Sequence, residues 1–204
     1  MTLEIVTPPA GEPVTLAEAR AFCRIDHEDE DALIQDLVRA AREQVEAASG
    51  RALIERRVRE RRDSWAASPA GAVRLALRPL RALHGVKTIG PDGAMQSIAL
   101  TDVFPDPDAE AGRLLARSGL GFPALLRAAS GVEIEYTAGY GATSAALPPA
   151  LRLAVLILTA DAYARRDRSD DASLSGVRAD VAALIAPFRE ARLSSARAEP
   201  DSPF

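Results

Sequence analysis

The period of the hydrophobic pattern changes twice along the chain. From residue 15 to about 50, apolar positions recur at steps of three and four. From 51 to about 146 they fall into short alternating runs broken by Gly, Pro and Asp, and from 147 the helical spacing returns. Thr15 and Glu18 have the spacing of a capping box, which starts a short helix near Leu16. Asp26 is placed to cap a second helix from about His27 to Ala48, with Glu28, Asp29, Glu30 and Asp31 in its first turn, where the helix dipole favours carboxylates. Leu33, Leu37, Ala41, Val45 and Ala48 form its apolar stripe, widened by Ile34 and Val38. Gln35, Asp36, Arg39, Arg42, Glu43 and Glu46 then face outward, and Gly50 closes the helix.

In the middle region Val73, Leu75 and Leu77 alternate with Arg74, Ala76 and Arg78, the period of a strand with one apolar face. Pro91, Asp92 and Gly93 predict a hairpin turn between GVKTI and MQSIAL. The clearest strand is VEIEYTA, with Val132, Ile134 and Tyr136 on one face, ended by Gly139 and Gly141. Leu147, Pro148 and Pro149 open a helix to about Arg166 that is apolar nearly all round, so it is expected to pack on several sides. RDRSDDASLSG reads as a polar loop, and a last helix carries Val177, Val181, Leu184, Ile185 and Phe188 on one stripe, limited or kinked at Pro187. The expected class is α+β, a helical bundle of N- and C-terminal helices with an inserted antiparallel β domain. Its expected divisions are 1–50 (a strand and two bundle helices), 51–146 (the β-rich insert), 147–192 (helices completing the bundle) and 193–204 (a flexible tail).

Composition narrows the chemistry. With 204 residues, 48% hydrophobic, the chain can bury one substantial core or two small ones. Its formal net charge of -4 offers no general attraction to nucleic acid. Arg51, Arg56, Arg57, Arg59, Arg61 and Arg62 do cluster, but Glu55, Glu60 and Asp63 are interleaved, which favours a solvated strand face or subunit contact. The single cysteine, Cys23, excludes an internal disulfide and reads as a buried thiol of a protein made in a reducing cytoplasm. No signal peptide and no membrane-spanning run are expected.

Catalytic motifs do not emerge. His27 and His84 are the only histidines, no metal-ligand spacing occurs, and no serine lies in a nucleophile elbow. Asp106, Asp108 and Glu110 begin like a calcium loop, but Ala111 and Arg117 occupy positions that need glycine and glutamate. GYGATS lacks the lysine and helix of a phosphate loop and reads as a turn. No enzyme activity, metal or cofactor is expected.

Three blocks in order resemble the head-tail connector, or adaptor, family of tailed bacteriophages and gene transfer agents. They are TPPAGEPVTLAEARAFCRID with EDEDALIQDLVRAAREQVEAASGRAL, then LRPLRALHGVKTIGPDG, then VEIEYTAGYGATSAALPPALRLAVLILTADAYARRD. The family commonly has an aromatic pair near the end of the third block, where this chain has Asp161, Ala162 and a lone Tyr163. The resemblance implies a structural subunit of a homo-oligomeric, usually dodecameric, ring beneath the capsid portal protein. Such a ring joins the portal to a tail-side stopper or terminator protein, and double-stranded DNA passes through it without being read. It implies a place in the neck of a virion or gene transfer agent particle, assembled in the bacterial cytoplasm and away from membranes.

Two sites follow as expectations. Val177, Val181, Leu184, Ile185 and Phe188, with Phe204 in the tail, either contact the portal or fold back on the bundle. Glu28, Asp29, Glu30 and Asp31 either face the channel, where carboxylates repel phosphate, or form an ordinary solvated helix start. A rival reading makes the N-terminal helix pair a nucleic-acid-binding regulator, against which stand the acids at the start of the second helix.

Overall fold

In the computed structural model, residues 1–65, 72–117, 121–123, 126–166 and 178–189 are described. The predicted loop at 166–176 falls outside them beyond Arg166, as do Val177 and the tail from Ser194 to Phe204. The class is mixed α+β. Four α-helices occur among the described residues: α1 (Leu16–Cys23), α2 (Asp31–Ser49), α3 (Pro149–Arg165) and α4 (Ala179–Ile185). The strands are β1 (Thr2–Thr7), β2 (Arg56–Arg62), β3 (Ala72–Arg74), β4 (Leu80–Ile89), β5 (Met95–Ile98), β6 (Val103–Pro105), β7 (Arg113–Ala116) and β8 (Val132–Ala138).

The helices begin and end for local reasons. Thr15 Oγ1 accepts from the Glu18 amide at 3.3 Å while Glu18 accepts from the Thr15 amide at 2.9 Å, so the capping box of α1 is complete. Arg24 then adopts φ 57°, a left-handed cap that turns the chain. This turn delays α2. The acidic run was expected inside its first turn, yet only Asp31 lies there, and Glu28, Asp29 and Glu30 form the connection ahead of it. The buried face of α2 is also rotated from the expected stripe: Ile34, Val38, Ala41 and Val45 are buried, whereas Leu33 is 39% exposed. Arg42 and Glu46, expected outside, lie on the buried face because they meet charged partners there. Pro149 opens α3, and α4 gives way to a 3-10 turn, Ala186–Phe188, that contains Pro187.

Two apolar clusters form. One joins the four helices through Ile34, Val38, Val45, Leu151, Val155, Val181 and Ile185. The other lies in the strands around Val58, Val73, Val86, Val132, Ile134 and Tyr136. The five-stranded sheet has order β1-β2-β8-β4-β5 with every pairing antiparallel, and β3-β7-β6 make a smaller antiparallel sheet. The predicted hairpin is β4 and β5, closed by Gly93 at φ 81° and by the Asp92 carboxylate accepting from the Ala94 amide at 3.0 Å. VEIEYTA is β8, with its apolar face fully buried. The Val73 to Leu77 alternation shortens to three residues of strand, but Val73 and Leu75 point inward as expected.

Gly139 ends β8 at φ 137°, and a Cβ there would lie 2.5 Å from the Glu55 Cα. Both the dihedral and the space demand glycine. Gly139→Ala is therefore expected to lower unfolding free energy by about 2–3 kcal/mol, read as a lower urea midpoint at unchanged slope.

Candidate interaction surfaces

β2 reads RRVRERR, a sequence that looks like an exposed strand, yet it is flanked on both sides by β1 and β8. Its outward residues Arg57, Arg59 and Arg61 face carboxylates on the neighbouring strands. Arg57 pairs with Glu135 at 2.6 Å, Arg59 with Glu135 at 3.0 Å and Glu133 at 3.5 Å, and Arg61 with Glu133 at 3.0 Å and Glu4 at 3.1 Å. Register makes this possible, because Glu4, Arg59 and Glu135 lie directly opposite one another. Burial tends to raise the Glu135 carboxyl, but hydrogen bonds and charge from Arg59 and Arg57 hold it below its ordinary value.

The inward residues of β2 meet two buried carboxylates. Glu60 is fully buried and accepts from the Tyr136 hydroxyl at 2.9 Å, the Ala76 amide at 3.0 Å and the Arg62 guanidinium. Burial and the Glu60 charge push the Tyr136 hydroxyl far above its usual range. Glu46 of α2 meets Arg56 at 2.6 Å and Arg42 at 3.0 Å and accepts from the Leu53 amide at 2.9 Å. Arg42 also reaches Glu12 at 2.7 Å. Its burial opposes the charge, but Glu46, Glu12 and Glu43 together raise its pKa. These groups floor a groove of about 620 Å³ between β1 and α2, lined on its apolar side by Leu3, Ile5, Pro8, Pro9, Ala47 and Leu77.

Arg51, the first of the clustered arginines, ties the end of the helical layer to the strands. It donates to the Phe188 carbonyl at 3.1 Å and the Glu110 carbonyl at 2.9 Å and pairs with the Glu110 carboxylate. Arg189 donates to the Ala48 carbonyl at 2.9 Å beside it. Each of Arg51, Arg56, Arg57, Arg59, Arg61 and Arg62 is thus held in an internal ion pair. The strand-face reading of the cluster describes Arg57, Arg59 and Arg61, whereas the alternation hid the other three inside the protein.

The predicted channel-facing acids divide. Glu28 and Asp31 each lie 3.5 Å from Arg20, and Glu30 accepts from the Tyr163 hydroxyl and from Arg166 at 2.9 Å. The Tyr163 hydrogen bond, opposed by desolvation and helped by Arg166 and His27, lowers the Glu30 pKa. Glu28 and Asp29 remain exposed. Of the predicted portal-contact stripe, Val181 and Ile185 are fully buried in the helical core, and Leu184 and Phe188 are half-buried at its edge. Val177 and Phe204 lie outside the described residues. Asp106, Asp108 and Glu110 are used internally: Asp106 pairs with Arg113 at 2.7 Å, Asp108 caps a 3-10 turn and Glu110 binds Arg51. Among the described residues no acidic, His or Cys group converges as a metal site would require, and no helix is long and apolar enough to cross a membrane. Cys23 is half-buried, and burial raises its thiol pKa.

With capped helices, turn and charged strand in place, residues 13–86 match the model of the phage gp6-like head-tail connector proteins. Over these residues the chain is similar to a phage gp6-like head-tail connector domain. The match takes in α1, α2, β2, β3 and the first part of β4, so it contains the Glu46 and Glu60 networks but not β8 or α3. Solved structures extend the likeness to nearly the whole chain. A chain of the neck of an empty GTA particle, computed with C6 symmetry, is 28% identical over 97% of this chain and 100% of its own, with a TM-score of 0.77. A chain of the native GTA particle neck, computed with C12 symmetry, is 29% identical over 97% and 100%, with a TM-score of 0.76. A chain of the virion of the native gene transfer agent particle is 28% identical over 96% and 98%, with a TM-score of 0.77. Among curated proteins none matches this chain.

Two outcomes test the charge networks. Glu46→Gln leaves the buried Arg56 beside a neutral amide and takes one of three carboxylates from Arg42, and is expected to cost about 3–5 kcal/mol, whereas Asp36→Asn on the exposed face of α2 changes stability by less than about 0.5 kcal/mol. Both are read from chemical denaturation. Glu18, Glu30 and Glu135 have folded pKa values below the ordinary 4.5, so their contribution is complete above that value and is lost as pH falls through the folded values. The melting temperature should therefore drop on acidification below pH 4.5, and Glu135→Gln should flatten that drop.

Proposed function

We propose that this chain is the adaptor subunit of a particle neck, in which copies form a homo-oligomeric ring of twelve beneath the portal protein. The ring carries a tail-side stopper or terminator protein on its other face, and double-stranded DNA passes through its channel without being read. The observation that supports this most is the correspondence of 97% of the chain with a complete chain from a neck computed with C12 symmetry. The location that follows is the neck of a gene transfer agent or phage particle, after assembly in the bacterial cytoplasm.

The role is structural and asks for no catalytic group, cofactor or metal. In this reading the helices within 1–50 and 147–192 act together as one bundle, while the strand at the start of 1–50 joins the β-rich 51–146 that sets the spacing between copies. Residues 193–204 reach toward a partner. Val181 and Ile185 anchor the last helix to the core, which leaves Leu184, Phe188, Val177 and Phe204 as its portal contacts. Glu28 and Asp29 face the channel, with Glu30 and Asp31 held behind them by Tyr163, Arg166 and Arg20. Exposed carboxylates suit a conduit for DNA because they repel phosphate.

Electron microscopy of the purified protein mixed with its portal is expected to show a ring on the narrow end of the portal. A version ending at residue 192 retains α4 in the core, so it should keep its circular dichroism spectrum and lose portal binding. A portal left bare by the full chain would reject the adaptor reading, and full binding by the shortened chain would reject the C-terminal contact.

A further inference from the structure

A cyclic ring needs two different surfaces on each copy, one complementary to the other, because a surface that pairs with itself stops at a dimer. The five-stranded sheet supplies two such surfaces at its two ends. β1 is the edge strand on one side and β5 on the other, and all six residues of β1 and the first three of β5 are exposed. Leu3 is 38%, Ile5 54%, Val6 37% and Met95 66% exposed. β1 is irregular between Ile5 and Thr7, beyond Thr2 and Leu3, but neither edge strand carries lysine, proline or an inward charge: β1 reads TLEIVT, with Glu4 drawn sideways onto Arg59 and Arg61, and β5 reads MQSI.

Direction and register agree with a head-to-tail joint. Five strands with every pairing antiparallel leave β1 and β5 running the same way. A rotation about an axis along the strands keeps that direction and brings β5 of one copy beside β1 of the next. One cross-strand row runs Leu3, Glu60, Ile134, Val86, Ile98, and the next, on the opposite face, runs Thr2, Arg61, Glu133, Lys87, Ser97. The first row is buried in its middle and ends in half-exposed apolar residues at both edges, so its continuation into a second copy would set Ile98 against Leu3. Leu3 and Ile5 overhang the groove of about 620 Å³ beside α2, which leaves room for side chains from the joining strand.

We propose that the occupant of this edge is a second copy of the chain, with β1 of one copy pairing in parallel with β5 of its neighbour to make the contact that closes the ring. The proposal rests on the ring reading given above. In this register Thr2 and Leu3 lie beside Ser97 and Ile98, and so short a parallel pairing is weak alone, so the apolar contact of Leu3 with Ile98 carries the specificity of the joint.

Thr2 and Ser97 end the solvent-facing row and can be replaced with little disturbance. In a Cys23→Ser background, Thr2→Cys combined with Ser97→Cys and treated with a short bis-maleimide on portal-assembled rings should give a ladder of trimers and higher multimers. Either cysteine alone should give no ladder beyond dimer. Leu3→Asp should keep the monomer's melting temperature and reduce ring yield at least tenfold. Rings that form from the double-cysteine variant without a ladder, or rings of normal yield from Leu3→Asp, would overturn the edge-to-edge contact while leaving the ring reading standing. Failure of the unmodified chain to form any ring on its portal would overturn both.

Discussion

A strand with five arginines in seven residues can sit inside a sheet only if every guanidinium finds a carboxylate, and β2 imposes that condition on everything around it. On the solvent face Glu4, Glu133 and Glu135 meet it at distances between 2.6 and 3.6 Å. On the inner face Glu46 and Glu60 meet it in surroundings where an unpaired charge would cost several kcal/mol. Because Glu46 belongs to α2 and Glu60 to β2 itself, the same condition sets both how the helical layer rests on the sheet and how Tyr136 and the Ala76 amide close over it.

This arrangement suits a part whose work is to hold position. The apolar clusters are separate, one among helices and one among strands, and directional ion pairs and hydrogen bonds join them across the Arg51 and Glu46 junctions. Apolar packing tolerates sliding better than directional ion pairs and hydrogen bonds do, so charge at the junction fixes orientation.

Much of the fold was legible in the chain. The capping box at Thr15, the Pro-Asp-Gly hairpin, the VEIEYTA strand and the proline-opened α3 all rest on interactions within a few residues, so spacing alone reports them. The site was less legible. The acidic run was misplaced by one turn because Arg24 takes a left-handed conformation that no side-chain pattern announces. Arg42 and Glu46 were assigned to solvent because a helical wheel counts charge as outward, and only the presence of Arg56, Glu12 and the Leu53 amide makes the inside affordable for them. One signal did exist: the strict alternation of RRVRERR already divides its charges between two faces, one of which had to be inside.

The sequence by itself determined where helices start, where strands turn and which residues share a face, because these depend on dihedral preference and on neighbours within about four positions. It also determined the order of blocks by which the connector family is recognised. Tertiary structure alone decided which charges are buried, since Glu46 meets Arg56 and Glu60 meets Tyr136 across separations that no local pattern encodes. It likewise decided that β1 and β5 are the edges of the sheet, because an edge is defined by which strand is missing beside it.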